Sequence, residues 1–134
     1  MNCNLLRVMN CEMKWIADLE IYSISRDLSK AAWNIYEDLT MSNKIMIGNQ
    51  FIRSTDSIWA NIAEGFGRFH YLDSIKFYYN ARWSLQESRH RIEILHDRKL
   101  LLDDNYMLLI RKLDTLSVKL NNFITKAKLL LTKN

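Results

Sequence analysis

Residues 103–130 read DDNYMLLIRKLDTLSVKLNNFITKAKLL. Within this stretch Tyr106, Leu109, Ile110, Leu113, Leu116, Leu120, Phe123, Ile124, Ala127 and Leu130 recur at steps of three and four, which lays one apolar stripe along a helix. Asp103 and Asp104 supply a cap and a first-turn charge that complements the helix dipole. Upstream, Ile75, Tyr78, Ala81, Leu85, Ile92 and Leu95 give a second helix over about residues 73–98. Ile45, Phe51, Ile52, Thr55, Ile58, Ile62 and Phe66 give a third, with Ser42 or Asn43 as its N-cap and left-handed backbone at Gly65 and Gly67 to end it. Ile21, Ile24, Leu28, Ala31, Ala32, Ile35 and Leu39 give the earliest, running from about Leu19 to Thr40. The chain has no proline and three glycines, so it turns rarely, and strands are not expected. Four long helices with short links imply an all-α, up-down-up-down antiparallel four-helix bundle over residues 18–134. Residues 1–17 lack a period and read as a loosely attached tail, with Met9 or Met13 as alternative starts.

The 134 residues carry a formal charge of +4. Residues 1–70 hold 7 basic and 8 acidic side chains, whereas residues 71–134 hold 12 and 7. A basic half suits phosphate or an acidic partner, and it equally suits a solvated face. Cys3 and Cys11 have neither the spacing of a zinc or redox motif nor that of a disulfide framework. Without an apolar run of membrane-spanning length or a signal-peptide core, the expectation is a cytoplasmic protein with no membrane role.

Candidate sites are few. Glu87 with His90 and Glu93 with His96 repeat the Glu-x-x-His spacing of di-iron bundles. The two pairs share one helix, and six residues rotate them apart by about 240°. No metal and no cofactor is expected. No motif places a nucleophile on a strained turn above a base, so no enzyme is expected either. Met41, Met46 and Met107 suit core filling. The run from Arg68 to Trp83 interleaves cations and rings, a composition that stacks unpaired bases. Helical spacing divides those rings between the core and a second stripe, Leu72, Tyr79 and Trp83, which favours a subunit interface. In the last helix Arg111, Lys112, Lys119, Lys126, Lys128 and Lys133 meet only Asp114. The first five are the candidate phosphate contacts.

The segment from Arg53 to Arg68, RSTDSIWANIAEGFGR, resembles the signature of the 23S ribosomal RNA intervening-sequence protein family at Arg53, Ser57, Ile58, Asn61, Ile62, Ala63, Glu64, Gly65 and Arg68. Downstream, Phe77-Tyr78 and Ala81-Arg82-Trp83-Ser84-Leu85-Gln86-Glu87 are similar to a second family segment. Trp59 and Trp83 depart from the pattern, each a bulky ring where a small residue or proline is usual, so altered helix packing is expected at both. The resemblance covers about Leu19 to Leu130. It implies a four-helix bundle, a homopentamer, no enzymatic activity, and genes lying within ribosomal RNA insertions. A similar fold serves retroelements as an accessory protein that binds a reverse transcriptase and nucleic acid. Together these point to a basic oligomeric scaffold for RNA, DNA or an RNA-handling protein such as a reverse transcriptase. The alternative is a protein-interaction module or reverse-transcriptase accessory subunit without sequence-specific nucleic-acid recognition. Asn61, Glu64 and Arg82, with Glu87 in reach, are expected to form a polar network joining the second and third helices.

Overall fold

The computed structural model describes residues 19–68 and 71–132; side chains are described for 19–68 and 73–129. The expected tail lies outside the described residues, as do the side chains of Leu72 and Leu130. Four helices account for nearly all of the rest. Helix α1 spans Glu20–Glu37. Helix α2 spans residues 41–66 in three continuous pieces: an α-helical turn Met41–Asn43, a π-helical stretch Lys44–Gly48, and an α-helix Asn49–Phe66. Helix α3 spans Tyr71–Asp97, and α4 spans Asp103–Thr132. No strand occurs among the described residues. Consecutive helices pack together and α4 closes back on α1, which gives the up-down-up-down ring. None of the helices is long and apolar enough to cross a membrane.

The core is the set of stripes read from the sequence. Leu28, Phe51, Ile58, Ile62, Ala81, Leu85, Ile92, Leu95, Leu109, Leu113, Leu116 and Leu120 are wholly buried. Between α2 and α3, the most extensive pairing in the bundle, the facing residues are unusually small. Ser54, Gly65, Ser74, Ala81, Ser84 and Ser88 are all buried there. The Ser54, Thr55 and Ser88 hydroxyls donate to carbonyls three or four residues back in their own helices. The hydroxyls are thereby satisfied without a bond across the seam, and small side chains let the two backbones approach.

Gly65 marks the closest point. A Cβ built there would lie 2.7 Å from Tyr78 Cε1 and 3.1 Å from the Ser74 carbonyl oxygen, so any larger residue must displace a buried ring or a helix backbone. Gly65 is therefore a packing glycine, and neither it nor Gly67 adopts the left-handed backbone expected of them. The left-handed residue is Lys99, with φ of 60°. It ends α3 in a Schellman motif, with Leu100 N–H donating to Leu95 O and Lys99 N–H to His96 O.

Other expectations give way at the chain reversals. Thr40, not Ser42 or Asn43, caps α2, its hydroxyl accepting from Asn43 N–H at 3.2 Å. Ile45 is 66% exposed and Ile47 takes its place at 3%, because Ile47 stands about one turn before Phe51 while Ile45, six residues before it, falls off that stripe. Met41, Met46 and Met107 are also exposed and fill no core gap; they lie on outward faces beside the first and third reversals. Asp103 begins α4 but its carboxylate pairs with His96 Nε2 at 2.8 Å, under a stacked Tyr106 ring.

Candidate functional site

The cations of α4 do not form one stripe. Lys112, Lys119 and Lys126 recur every seven residues and so share a flank, while Lys128, two residues past Lys126, is rotated from it by about 200°. Lys119 Nζ bonds Glu20 Oε1 of α1 at 2.8 Å, which fixes that flank as the one facing α1. Lys128 Nζ lies 5.0 Å from the Tyr79 ring centroid of α3, on the opposite flank. Arg111 points outward between the two. A single strand of phosphates therefore cannot follow all five residues along one line, and Lys119 is already paired.

A denser group stands on the outer face of α3. The Arg82 guanidinium lies 4.8 Å from the same Tyr79 ring that Lys128 approaches. Two cations approach one aromatic ring, and neither has a carboxylate within ion-pair distance among the described residues. Arg82 Nη1 reaches Asn121 Oδ1 at 3.4 Å, a long contact. One position further on, Trp83 is 70% exposed, and Tyr79, Asn80, Arg82, Trp83 and Gln86 line an open groove of about 360 Å³. Trp83 Nε1 donates to Glu87 Oε1 at 2.9 Å, which steadies the indole and leaves its ring toward solvent. Tyr79 is half-buried beneath its two cations, so within the expected interface stripe Trp83 is the described residue that offers open apolar surface.

The motif residues separate into packing and polar roles. Asn61 Nδ2 donates to the Ser57 carbonyl at 2.8 Å, and Glu64 pairs with Arg68 at 2.7 Å, both within α2. Arg82 turns toward α4. The network expected of Asn61, Glu64 and Arg82 between α2 and α3 therefore does not form, because each finds a partner closer along its own helix or on α4. Near the motif α2 meets α3 at the Gly65–Tyr78 contact, and the Arg68 guanidinium lies 4.7 Å from the Phe77 ring. Arg53 and Ser57 instead line a second groove between α2 and α3, with Gln50, Ser54, Glu87 and Arg91. The sequence reading missed Arg91 and Gln50; Arg91 follows Glu87 by one turn and Trp83 by two, a spacing that places all three on neighbouring positions of one face.

The two departures from the family pattern also resolve. Trp83 points away from the bundle and disturbs no helix contact. Trp59 packs edge-on against Tyr22 of α1, ring centroids 5.7 Å apart, with its Nε1 buried and unpartnered among the described residues. Among the described residues no three His, Cys, Asp or Glu side chains stand close enough to hold a metal ion.

No curated protein matches the chain. Among solved structures it resembles a protein of unknown function from the S23 ribosomal protein family of Bacteroides thetaiotaomicron, with a TM-score of 0.73 and 21% identity over 78% of this chain and 97% of that one. That similarity shows a shared fold. The model of the 23S rRNA-intervening sequence protein family matches residues 17–122; with the bundle and the segment from Arg53 to Arg68 accounted for, the chain belongs to that family.

Proposed function

We propose that this protein is a non-enzymatic, oligomeric cytoplasmic scaffold that binds single-stranded RNA on the outer face of α3. The observation that carries this reading is the exposed Trp83 ring set beside Arg82 and Lys128, two cations with no acidic partner among the described residues. A flat ring stacks on any unpaired base, and adjoining cations take the phosphates, so such a face binds single strands with little sequence preference. The basic flank of Lys112, Lys119 and Lys126 adds long-range attraction rather than the contact itself.

Filter binding of a single-stranded and a double-stranded RNA at two salt concentrations tests the reading. Trp83→Ala should weaken single-strand binding by about 1–3 kcal/mol. Replacing Arg82 and Lys128 with Gln should weaken binding and flatten its salt dependence, since each lost phosphate contact releases fewer counterions. Replacing Lys112, Lys119 and Lys126 with Gln should do less. Equal losses from both flanks would refute the assignment to α3. Absence of RNA binding would favour a protein-interaction module, such as a reverse-transcriptase accessory subunit, a reading supported by the exposed Met41, Ile45 and Met46 at the start of α2.

A further inference from the structure

The groove between α2 and α3 is not used by the face just described. Gln50, Arg53, Ser54, Ser57, Glu87 and Arg91 enclose about 170 Å³. Arg53 and Arg91 come from different helices, and neither guanidinium lies within 4.0 Å of a carboxylate among the described residues. The one acid in the groove, Glu87, has its Oε1 engaged by Trp83 Nε1. Two guanidiniums against one carboxylate leave a single net positive charge, which one phosphodiester would neutralise. Guanidinium forks match phosphate oxygens in a bidentate geometry, and the Ser57 hydroxyl and Gln50 amide add donors at the rim.

The groove also lies in line with the stacking ring. Trp83, Glu87 and Arg91 are spaced by four residues, so they climb about 12 Å along α3 while turning by about 40° at each step toward α2. A strand whose base rests on Trp83 thus meets the groove a short way along its backbone. We propose that Arg53, Arg91 and Ser57 form a phosphodiester-binding subsite that takes the backbone of a single-stranded RNA whose unpaired base stacks on Trp83. Glu87 sets both elements: it orients the indole through Nε1 and it limits the charge of the groove, so that a singly charged diester is preferred to a doubly charged terminal phosphate. This inference rests on the RNA reading of α3.

The test measures affinity for a short oligouridine strand across a salt series. Each single-strand phosphate neutralised contributes about 0.7 to the salt slope, so R53Q/R91Q, which removes the seat for one phosphodiester, should lower the slope by roughly 0.7, while R53K/R91K, which keeps both charges, should retain it. Trp83→Ala should lower affinity with the slope unchanged. Glu87→Gln, which keeps an oxygen for the indole N–H and removes the negative charge, should tighten binding. If the wild-type chain binds and R53Q/R91Q changes neither affinity nor slope, the subsite is wrong while the α3 reading stands. If the wild-type chain does not bind, both fail. Should R53Q/R91Q lose helicity, Glu87→Gln decides alone: unchanged or weaker binding overturns the subsite.

Discussion

Tyr78 shows how one residue ties packing to solution behaviour. Its ring is buried edge-on against Phe123, centroids 4.9 Å apart, and lies against the bare backbone of Gly65. Burial pushes its phenol far above the ordinary value of 10, because the phenolate would have to leave water. The unfolded chain ionises this group near pH 10 and the folded chain does not. Stability from this group is therefore whole below pH 10 and declines above it, by about 1.4 kcal/mol per pH unit. Urea unfolding of the wild type and of Tyr78→Phe at pH 8 and pH 11 isolates the effect. The wild type should lose stability relative to the variant at the higher pH; an equal difference at both would show that the phenol ionises freely in the fold.

At the scale of a helix, how each element ends matters as much as its stripe. Lys99 holds a left-handed backbone where glycine is the usual residue, and a Cβ there costs about 1 kcal/mol. Lys99→Gly should raise stability by up to that amount, less the entropy of a freer unfolded chain; thermal unfolding monitored by circular dichroism measures it, and a lower melting temperature would contradict the assignment. The α4 stripe was legible because thirty residues repeat one period without interruption, and the buried face is the one the spacing selects. Helix ends were not. Whether Thr40, Ser42 or Asn43 caps α2 depends on where the chain emerges from α1, and all three are good caps. The π-helical turn Lys44–Gly48 leaves no compositional mark, but the exposure of Ile45 and Met46 was legible in their spacing, since six and five residues before Phe51 both fall off its stripe. The candidate site was half legible. Trp83, Arg82 and Lys128 were named, but which of them meet depends on which flank of α4 faces α3, and only packing fixes that.

For the whole molecule, closing four amphipathic helices into a ring uses up one face of each and leaves the rest exposed. The exposed Met41, Ile45 and Met46 lie within two turns at the start of α2, an apolar surface more suited to contact with a second copy than to water. Light scattering should therefore give a mass above one chain, and replacing Ile45 and Met46 with Glu should reduce it, whereas Trp83→Ala should not. A single-chain mass for the wild type at every concentration would exclude assembly. The projecting indole has one more consequence, an optical one. Trp33 is stacked on Tyr36 and Trp59 is wedged against Tyr22, so among the described tryptophans the ring of Trp83 is the most open to water. Of these three it should emit furthest to the red and yield first to a dissolved quencher such as iodide, so the difference in emission between the wild type and Trp83→Ala reports whatever comes to cover that face.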